Sequence, residues 1–573
     1  MNYLNSAPSD KKNAVIVGFY LPGIYPAGDY SVVSDLLAPA FLKSSADADP
    51  EIAKRYEITI LNLPTTEDLE EIARQINQRN PYIVGFSVYM WNYDQMVETS
   101  RLVKELNPKV KIILGGPQVS YNPVDVLEEH SIVDLIVCGS GESRFKSLLK
   151  CDFSLESLSR ISRIAYRDEQ GQIVCTKGEV HEDLSKIPSP YKTGVIDLND
   201  GRKHTVYIET VRGCPFECGY CIWGEPDKSL YKFPLEQILE DIEMVYNHPS
   251  VENVYITDAC LFYTRERAKI IVDKIASCSR KIPTIATLDI LVVNQEMVDS
   301  CNKLDLIRNQ FHFGLQTTNP LALELLKRQS GPDVFEKRIK LLRQVIPDSE
   351  ISFDLIYGLP GDNYEGFRES INFALTLFPS KLNLSPLLLL PGTPFWDDKV
   401  ELGFEYENKP PYMVKSNNHY SFQDMERTIP LVLWIQVLNY FPTILDRLCM
   451  VFKDHPEFRP IDIIDRWIAD VSERVDPLVG VDFDYTNESF YKIRRHIMNI
   501  LSEPENCVKV YEASLEIFKY CRVENRCDDI RVAIEYYKSL IDGRENFIED
   551  QNTIDSIKVK WIKALTPVVH GEG

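Results

Sequence analysis

The segment Gly213-Cys214-Pro215-Phe216-Glu217-Cys218-Gly219-Tyr220-Cys221 spaces three thiols by three and then two residues, so one loop can aim all of them at a single inorganic centre. A cubane iron-sulfur cluster held by three thiolates keeps its fourth iron open to a chelating small molecule. A structural zinc site would instead take a fourth Cys or His at a comparable spacing, and none is nearby. Buried cysteines without any ligand are the remaining reading. The chain has 13 cysteines, but no other group has ligand-like spacing; Cys260 and Cys301 are expected to be small buried apolar residues.

The triad comes directly after an apolar run that opens a strand-helix alternation, with strands expected at 206–210, 253–257, 284–288, 310–314, 351–356 and 382–389. Six such units predict a partial (β/α)6 barrel of the TIM type, with the thiols at the C-terminal end of its first strand. Upstream, runs at 14–20, 56–63, 82–89, 111–115 and 133–138 alternate with amphipathic stretches such as 66–80 and 94–107. That rhythm predicts an α/β, doubly wound parallel sheet of Rossmann-like type, whose ligand crevice lies at the carboxyl ends of the strands. A hairpin follows at 160–166 and 173–176 around Glu169-Gln170-Gly171, then a linker at Pro188-Ser189-Pro190.

With Tyr220 just before its last cysteine, the triad resembles the signature of the radical S-adenosylmethionine (SAM) superfamily. The resemblance implies that Cys214, Cys218 and Cys221 hold a [4Fe-4S] cluster that reductively cleaves SAM, with Tyr220 packed against the adenine. It implies further SAM contacts from later strands. Phe313-Gly314-Leu315-Gln316-Thr317 resembles the fourth-strand segment that approaches ribose and methionine, through Gly314 and Gln316. The stretch 354–361 resembles the fifth-strand segment whose backbone meets the adenine, at Tyr357, Gly358 and Leu359. The family's second strand ends in a Gly-Gly-Glu-like segment that receives the SAM amino group. This chain has Thr257-Asp258-Ala259-Cys260, so Asp258 either accepts from that ammonium or caps a turn.

A doubly wound domain directly before such a barrel resembles the cobalamin-binding module of cobalamin-dependent radical SAM enzymes. Val84-Gly85-Phe86-Ser87, Leu114-Gly115-Gly116-Pro117 and Cys138-Gly139-Ser140-Gly141-Glu142 match its strand ends in order. The resemblance assigns Ser87, Gly115, Gly116, Gly139, Gly141 and Glu142 to the corrin and its tail, where Cβ branches would collide. No histidine precedes His130, so the Asp-x-His-x-x-Gly ligand of classical cobalamin enzymes is absent; either the sheet is degenerate and binds nothing or, as expected from its radical SAM relatives, it holds cobalamin without an imidazole beneath cobalt. Trp91, after the third strand, is read either as an apolar plate under cobalt or as a domain-interface aromatic.

The chain has 573 residues, 44% hydrophobic and 26% charged, with a formal charge of -22. That length requires several cores, and the acidity argues against nucleic acid or an anionic membrane as partner. The expected division is 1–155 cobalamin domain, 156–200 hairpin and linker, 201–395 barrel, and 396–573 an α-helical domain. Within the last, helices are expected at 429–449, 461–472, 490–502 and 508–521. Pro391-Gly392-Thr393-Pro394-Phe395 and Pro410-Pro411-Tyr412 resemble the start of an uncharacterised C-terminal domain of this family. That domain is expected to close the cavity, with Tyr412, Tyr420, Phe422 and Trp434 as either pocket lining or core. No export signal and no uncharged apolar run of about 18 residues is present, which places the chain in the cytoplasm.

The resemblance implies an oxygen-sensitive enzyme and an external reductant such as flavodoxin or ferredoxin. One SAM methylates cobalt, a second yields a 5′-deoxyadenosyl radical, and the substrate radical collects the methyl group. The expected function is methylation of an unactivated carbon in a small-molecule or peptide substrate. Ring rearrangement, cyclisation or epimerisation without methyl transfer is the alternative enzyme reading, and a non-catalytic iron-sulfur redox sensor is the alternative from another class.

Overall fold

In the computed structural model, residues 11–20, 32–65, 67–179, 182–223, 229–304, 310–346, 350–481 and 503–542 are described, with scattered positions between 483 and 501. The first sheet is built from β1 (Lys12–Tyr20), β3 (Tyr56–Pro64), β4 (Pro81–Ser87), β5 (Lys111–Gly115) and β6 (Leu135–Val137), while β2 (Val32–Ser34) departs from it. The hairpin β7 (Ile164–Arg167) and β8 (Ile173–Cys175) completes it, in the order β3-β1-β4-β5-β6-β7-β8. All pairs are parallel except β6 with β7 and β7 with β8. The hairpin expected in the linker is thus an edge of the first sheet. Both faces are covered, one by a core including Val15, Val84 and Leu114, the other by one including Ile16, Ile113 and Phe145. The near-continuous apolar runs follow from that double burial.

The second sheet holds β9 (Lys203–Ile208), β12 (Val251–Ile256), β13 (Thr284–Leu288), β14 (Gln310–Gln316), β15 (Glu350–Tyr357) and β16 (Lys381–Pro386), all parallel. A small ribbon, β10 (Val211–Arg212) with β11 (Tyr231–Lys232), stands between β9 and the next helix. The sheet order is β16-β15-β14-β13-β12-β9-β2, the last member coming from the N-terminal region. Val32, Val33 and Ser34 pair in parallel with Lys203, His204 and Thr205. After β1 the chain therefore crosses to the barrel, adds one strand, and returns through the helix Leu37–Asp47 to cover the first sheet. This corrects the expectation that residues 1–155 form a self-contained domain.

Side-chain caps start the helices where the sequence supplies them: Asp68, Asn319, Asn363 and Ser421 each accept first-turn amides. The expected helix 429–449 is two helices, Phe422–Tyr440 and Pro442–Asp454. Proline at 442 has no amide to donate and its ring crowds the preceding turn, so the chain breaks there. The helices Pro460–Ser472 and Pro504–Tyr520 match their expectations closely, and Asp528–Ile541 is an additional one. Residue 66 and six of the thirteen residues 490–502 lie outside the described residues.

The C-terminal helices extend the barrel core. Asn439 accepts from the Leu382 amide at 3.3 Å and donates to its carbonyl at 2.6 Å, satisfying the open edge of β16. Trp434 packs edge-on against Trp467 with ring centroids 6.1 Å apart. No single helix among the described residues is long and apolar enough to cross a membrane.

Candidate functional site

A cavity of about 530 Å³ lies between the carboxyl ends of the first sheet and the mouth of the barrel. Its first wall is made of strand ends and the loops after them: Gly85, Ser87, Trp91, Gly115, Gly116, Gly139, Gly141 and Glu142 all line it. The residues expected to meet cobalamin therefore line one surface, whereas none of the residues expected to meet SAM lines this cavity. A Cβ at Gly85 would meet no protein atom within 4 Å, and one at Gly115 nothing nearer than 3.8 Å, so the missing side chains leave open space. Gly116 is needed for a different reason: its φ is +120°, and a Cβ there would stand 2.4 Å from the Val88 carbonyl oxygen.

Ile16, Ile113 and Val137 of the sheet, with Leu42 and Phe145 of two helices, add apolar lining. Bare glycine backbone next to apolar lining fits a corrin and the aromatic base of its nucleotide tail. Trp91 stacks on Tyr89, with centroids 5.7 Å apart and planes 14° from parallel, and among the described residues no histidine lines the cavity. His130 stands elsewhere, 2.9 Å from the Tyr93 hydroxyl.

The opposite wall belongs to the barrel. Tyr207, Glu209, Tyr255, Thr257, Ile285 and Thr287 face the cavity from its first three strands, and Gly213, Ile222 and Trp223 reach it from the two flanks of the cysteine loop. Gly213 turns the chain into that loop at φ +96°, where a Cβ would sit 2.2 Å from the Ser229 carbonyl. The loop is pinned from behind: Gly219 donates to Leu326 O at 3.2 Å, and Phe395 donates to Gly219 O at 2.9 Å.

Cys214 and Cys218 are buried, Cys221 is half-buried, and all three are free thiols. Burial pushes Cys214 up to about 11 and Cys221 up to about 12, so both are neutral until a metal displaces their protons. Donors already point at the sulfurs: the Trp223 amide at 3.5 Å from Cys221 Sγ, and Arg328 Nη1 at 3.6 Å from Cys218 Sγ. Such donors stabilise ligated thiolates. Among the described residues no three His, Cys, Asp or Glu side chains converge as a single metal ion requires. A cubane binds each thiolate through a different iron and asks for a wider triangle.

Sequence reasoning missed Arg328. Its Nη2 donates to Gly314 O at 2.7 Å and meets Asp289 Oδ2 at 3.1 Å, while Nη1 touches the Cys218 sulfur. Burial alone would lower its pKa, but Tyr220, Asp289 and Cys218 outweigh that and hold it above its ordinary value. Gln316 lies beside it with φ +64°, and its Oε1 is buried without a hydrogen-bond partner. A guanidinium, an orphaned carbonyl oxygen and the Cys218 thiol around Gly314 fit the carboxylate, ammonium and hydroxyl groups of SAM. Tyr220 joins Ile356 and Leu359 in one apolar cluster. Tyr357 turns away and packs on Phe367 at 5.7 Å, and the Gly358 carbonyl accepts from Asn417 Nδ2 at 2.8 Å.

Asp258 takes the second of its two expected roles. Oδ1 accepts from the amides of Thr210 and Val211 at 2.7 and 3.1 Å, and Oδ2 accepts from the Thr210 hydroxyl. Both oxygens are spent on fixing the approach to the cysteine loop. Burial raises its carboxyl to about 6, against the opposing pull of those donors.

The two walls are joined by Arg212, which sequence reasoning also passed over. It meets Glu142 at 3.0 Å from the first sheet and Glu209 at 2.9 Å from the barrel. Among the described residues, none beyond Thr287 lines the cavity, and the described C-terminal helices stand away from it. Tyr412 accepts from Gln118 Nε2 at 2.9 Å, Tyr420 bonds the Thr428 hydroxyl, Trp434 is in the core, and Phe422 is exposed. Those helices pack outside β16 because their apolar faces complete the barrel core.

A family model described as a B12 binding domain matches residues 51–149, and one described as the radical SAM superfamily matches 208–374. A cobalamin-dependent radical SAM methyltransferase, TokK, from Streptomyces tokunonensis is 28% identical over 64% of this chain and 55% of its own length. A 2-(S-pantetheinyl)-carbapenam-3-carboxylate methyltransferase from Streptantibioticus cattleyicolor is 27% identical over 59% of this chain and 51% of its own. The chain thus spans about half the length of these curated relatives. Among solved structures, the cobalamin-dependent SAM radical enzyme OxsB with aqua-cobalamin bound superposes with a TM-score of 0.61 at 14% identity, covering 97% of this chain and 84% of its own. The methyltransferase TsrM from Kitasatospora setae, with cobalamin and a [4Fe-4S] cluster bound, gives 0.54 at 15% identity, over 70% and 78%. The segment matched by the B12-binding model and the segment matched by the radical SAM model thus face a common cavity, on a fold shared with these enzymes.

Proposed function

We propose that this protein is a cobalamin-dependent radical SAM methyltransferase that acts on an unactivated carbon of a small-molecule substrate. The observation that carries the reading is continuity: the glycine-lined strand ends and both flanks of the cysteine loop open into one cavity. When bound, the cluster supplies the electron that splits SAM to a 5′-deoxyadenosyl radical, and cobalamin supplies a methyl group. The chain's residues do the positioning. Arg328, beside Cys218, would hold the SAM carboxylate, Gln316 Oε1 would accept from a SAM donor, and Tyr220 with Leu359 would form the apolar wall for adenine. Trp91 and Tyr89 present a flat apolar surface where a protein imidazole would otherwise stand. The Arg212 bridge keeps the two walls in register and the interior dry, which protects a radical from quenching. An external low-potential protein such as flavodoxin or ferredoxin delivers the electron.

The test is anaerobic reconstitution with iron, sulfide and hydroxocobalamin. The expected product carries about four irons per chain, retains cobalamin, and forms 5′-deoxyadenosine from SAM under dithionite. Loss of cobalamin with SAM cleavage intact overturns the methyltransferase reading. 5′-Deoxyadenosine formed with substrate, but without the mass of one added methyl, redirects it to rearrangement or cyclisation.

A further inference from the structure

Two arginines line the cavity, and they differ in their surroundings. Arg212 is held between Glu142 and Glu209. Arg163 has no such company: its Nε is buried without a hydrogen-bond partner, and among the described residues no carboxylate pairs with its guanidinium. The nearby Arg144 already has Glu182 at 3.0 Å and donates to the carbonyls of Ser162, Ser140 and Glu179. Arg144 is itself held below its ordinary pKa, chiefly by burial and further by the charge of Arg163.

The backbone fixes where this side chain goes. Arg163 adopts φ +58°, a left-handed conformation that costs a side-chain-bearing residue about 1 kcal/mol. Its carbonyl accepts from the Cys138 amide at 2.9 Å, which sets it beside Gly139 at the end of β6. A half-buried cation without an anion is unfavourable unless a ligand supplies the charge.

We propose that Arg163 binds the phosphodiester of the cobalamin nucleotide tail. The inference rests on the reading of this cavity as the cobalamin site. The corrin periphery carries neutral amides, whereas the tail carries one peripheral anion, the phosphodiester between the corrin and the base. Arg163 lines the cavity together with Ile16, Ile113, Val137 and Phe145, whose apolar side chains suit that base, and its neighbour Ile164 pairs with Val137. A guanidinium can form two parallel charge-assisted hydrogen bonds to a phosphodiester. An anionic group on the substrate has the same chemistry, and cobinamide separates the two sources because it lacks the phosphodiester and base.

The experiment measures dissociation constants of hydroxocobalamin and of cobinamide for the full chain with reconstituted cluster, as wild type, Arg163→Gln and Arg163→Lys. Arg163→Gln is expected to weaken cobalamin about 10- to 100-fold and leave cobinamide within about twofold. Arg163→Lys, which keeps the charge but loses the fork, is expected to fall between. The melting temperature of the cofactor-free Arg163→Gln protein should be unchanged or higher, since an unpaired cation is removed. Equal losses for both corrinoids, a lowered melting temperature that accounts for them, or cobalamin binding unchanged by Arg163→Gln overturns the proposal. A wild type that binds neither corrinoid overturns the cavity reading with it, so the two failures are distinguishable.

Discussion

The two walls of the cavity prepare for their ligands in opposite ways. The first sheet does so by omission: glycines at its strand ends leave bare backbone and open space, and the charged side chains among the described lining residues are Arg163 and the set Glu142, Arg212 and Glu209, which pair with one another. Such a surface is complete before anything binds. The cysteine loop is not. Burial holds Cys214 and Cys221 protonated, and the donors at the loop's sulfurs, the Trp223 amide and Arg328, await the negative charge that iron ligation brings. The barrel side is thus finished by its metal, and the sheet side by folding alone.

If that difference is real, the walls should fail independently. The largest effect is expected at the triad. Cys218→Ala should cut SAM cleavage under dithionite by at least about a thousandfold, on the order expected when an essential group is removed, with iron content falling in step. Cobalamin retention, read from the visible spectrum, should stay near wild type; shedding of the cofactor would show that the sheet is not finished by itself. The mirror experiment is Gly85→Leu, which places a side chain in space that now meets no protein atom. Overpacking by a few carbons costs about 1–3 kcal/mol, so cobalamin affinity should drop about 10- to 100-fold. Uncoupled SAM cleavage should remain within about threefold of wild type, and a matching loss there would merge the two sites into one.

What was legible beforehand follows the same line. Features written in local chain chemistry were readable: the thiol spacing, the glycine-bearing strand ends, and strands such as Thr284–Leu288, whose apolar patterning repeats. Features made by distant approach were not. Arg328 stands 110 residues from Cys218 and reaches it only because Lys327, at φ +56°, ends a short helix and turns the chain back. Arg163 and Arg212 are ordinary surface-type residues until two strands place them on a wall. The three residues of β2 are too few to show a period and pair with a strand about 170 positions away, as the 169-residue separation of Asp35 and His204 indicates. Asp258 was half-readable, since a carboxylate after a strand suits both a cap and a ligand, and packing alone decided for Thr210. The break at Pro442 was visible in the sequence and was overridden by the surrounding apolar run.

The bridge between the walls gives an intermediate effect. Arg212→Gln leaves the buried carboxylate of Glu142 and the half-buried one of Glu209 without their cation, at a cost of about 3 kcal/mol. The urea midpoint of the cofactor-free protein should fall accordingly. Glu142→Gln in the same chain should restore part of the loss, because the two changes share one interaction and do not add. Strict additivity would mean that the walls are held in register by their apolar contacts and not by this pair.

The smallest expected effect concerns the strand that laces the walls together at the far end of the barrel. His204 Nδ1 lies 2.7 Å from Asp35, just after β2, and Nε2 lies 3.1 Å from Asp200, which Arg202 also contacts. Burial pulls the imidazole down, but the two carboxylates outweigh it and leave its pKa raised. A raised histidine favours the folded state fully below its ordinary value near 6.5, and that contribution disappears as pH climbs through the folded value. Stability should therefore decline by about 1 kcal/mol from pH 6 to pH 9, measured by urea unfolding under anaerobic conditions. His204→Gln should flatten that slope while leaving cobalamin affinity unchanged, because the residue grips β2 and touches neither wall. A wild type as stable at pH 9 as at pH 6 would mean that β2 is held by its ladder to β9 alone.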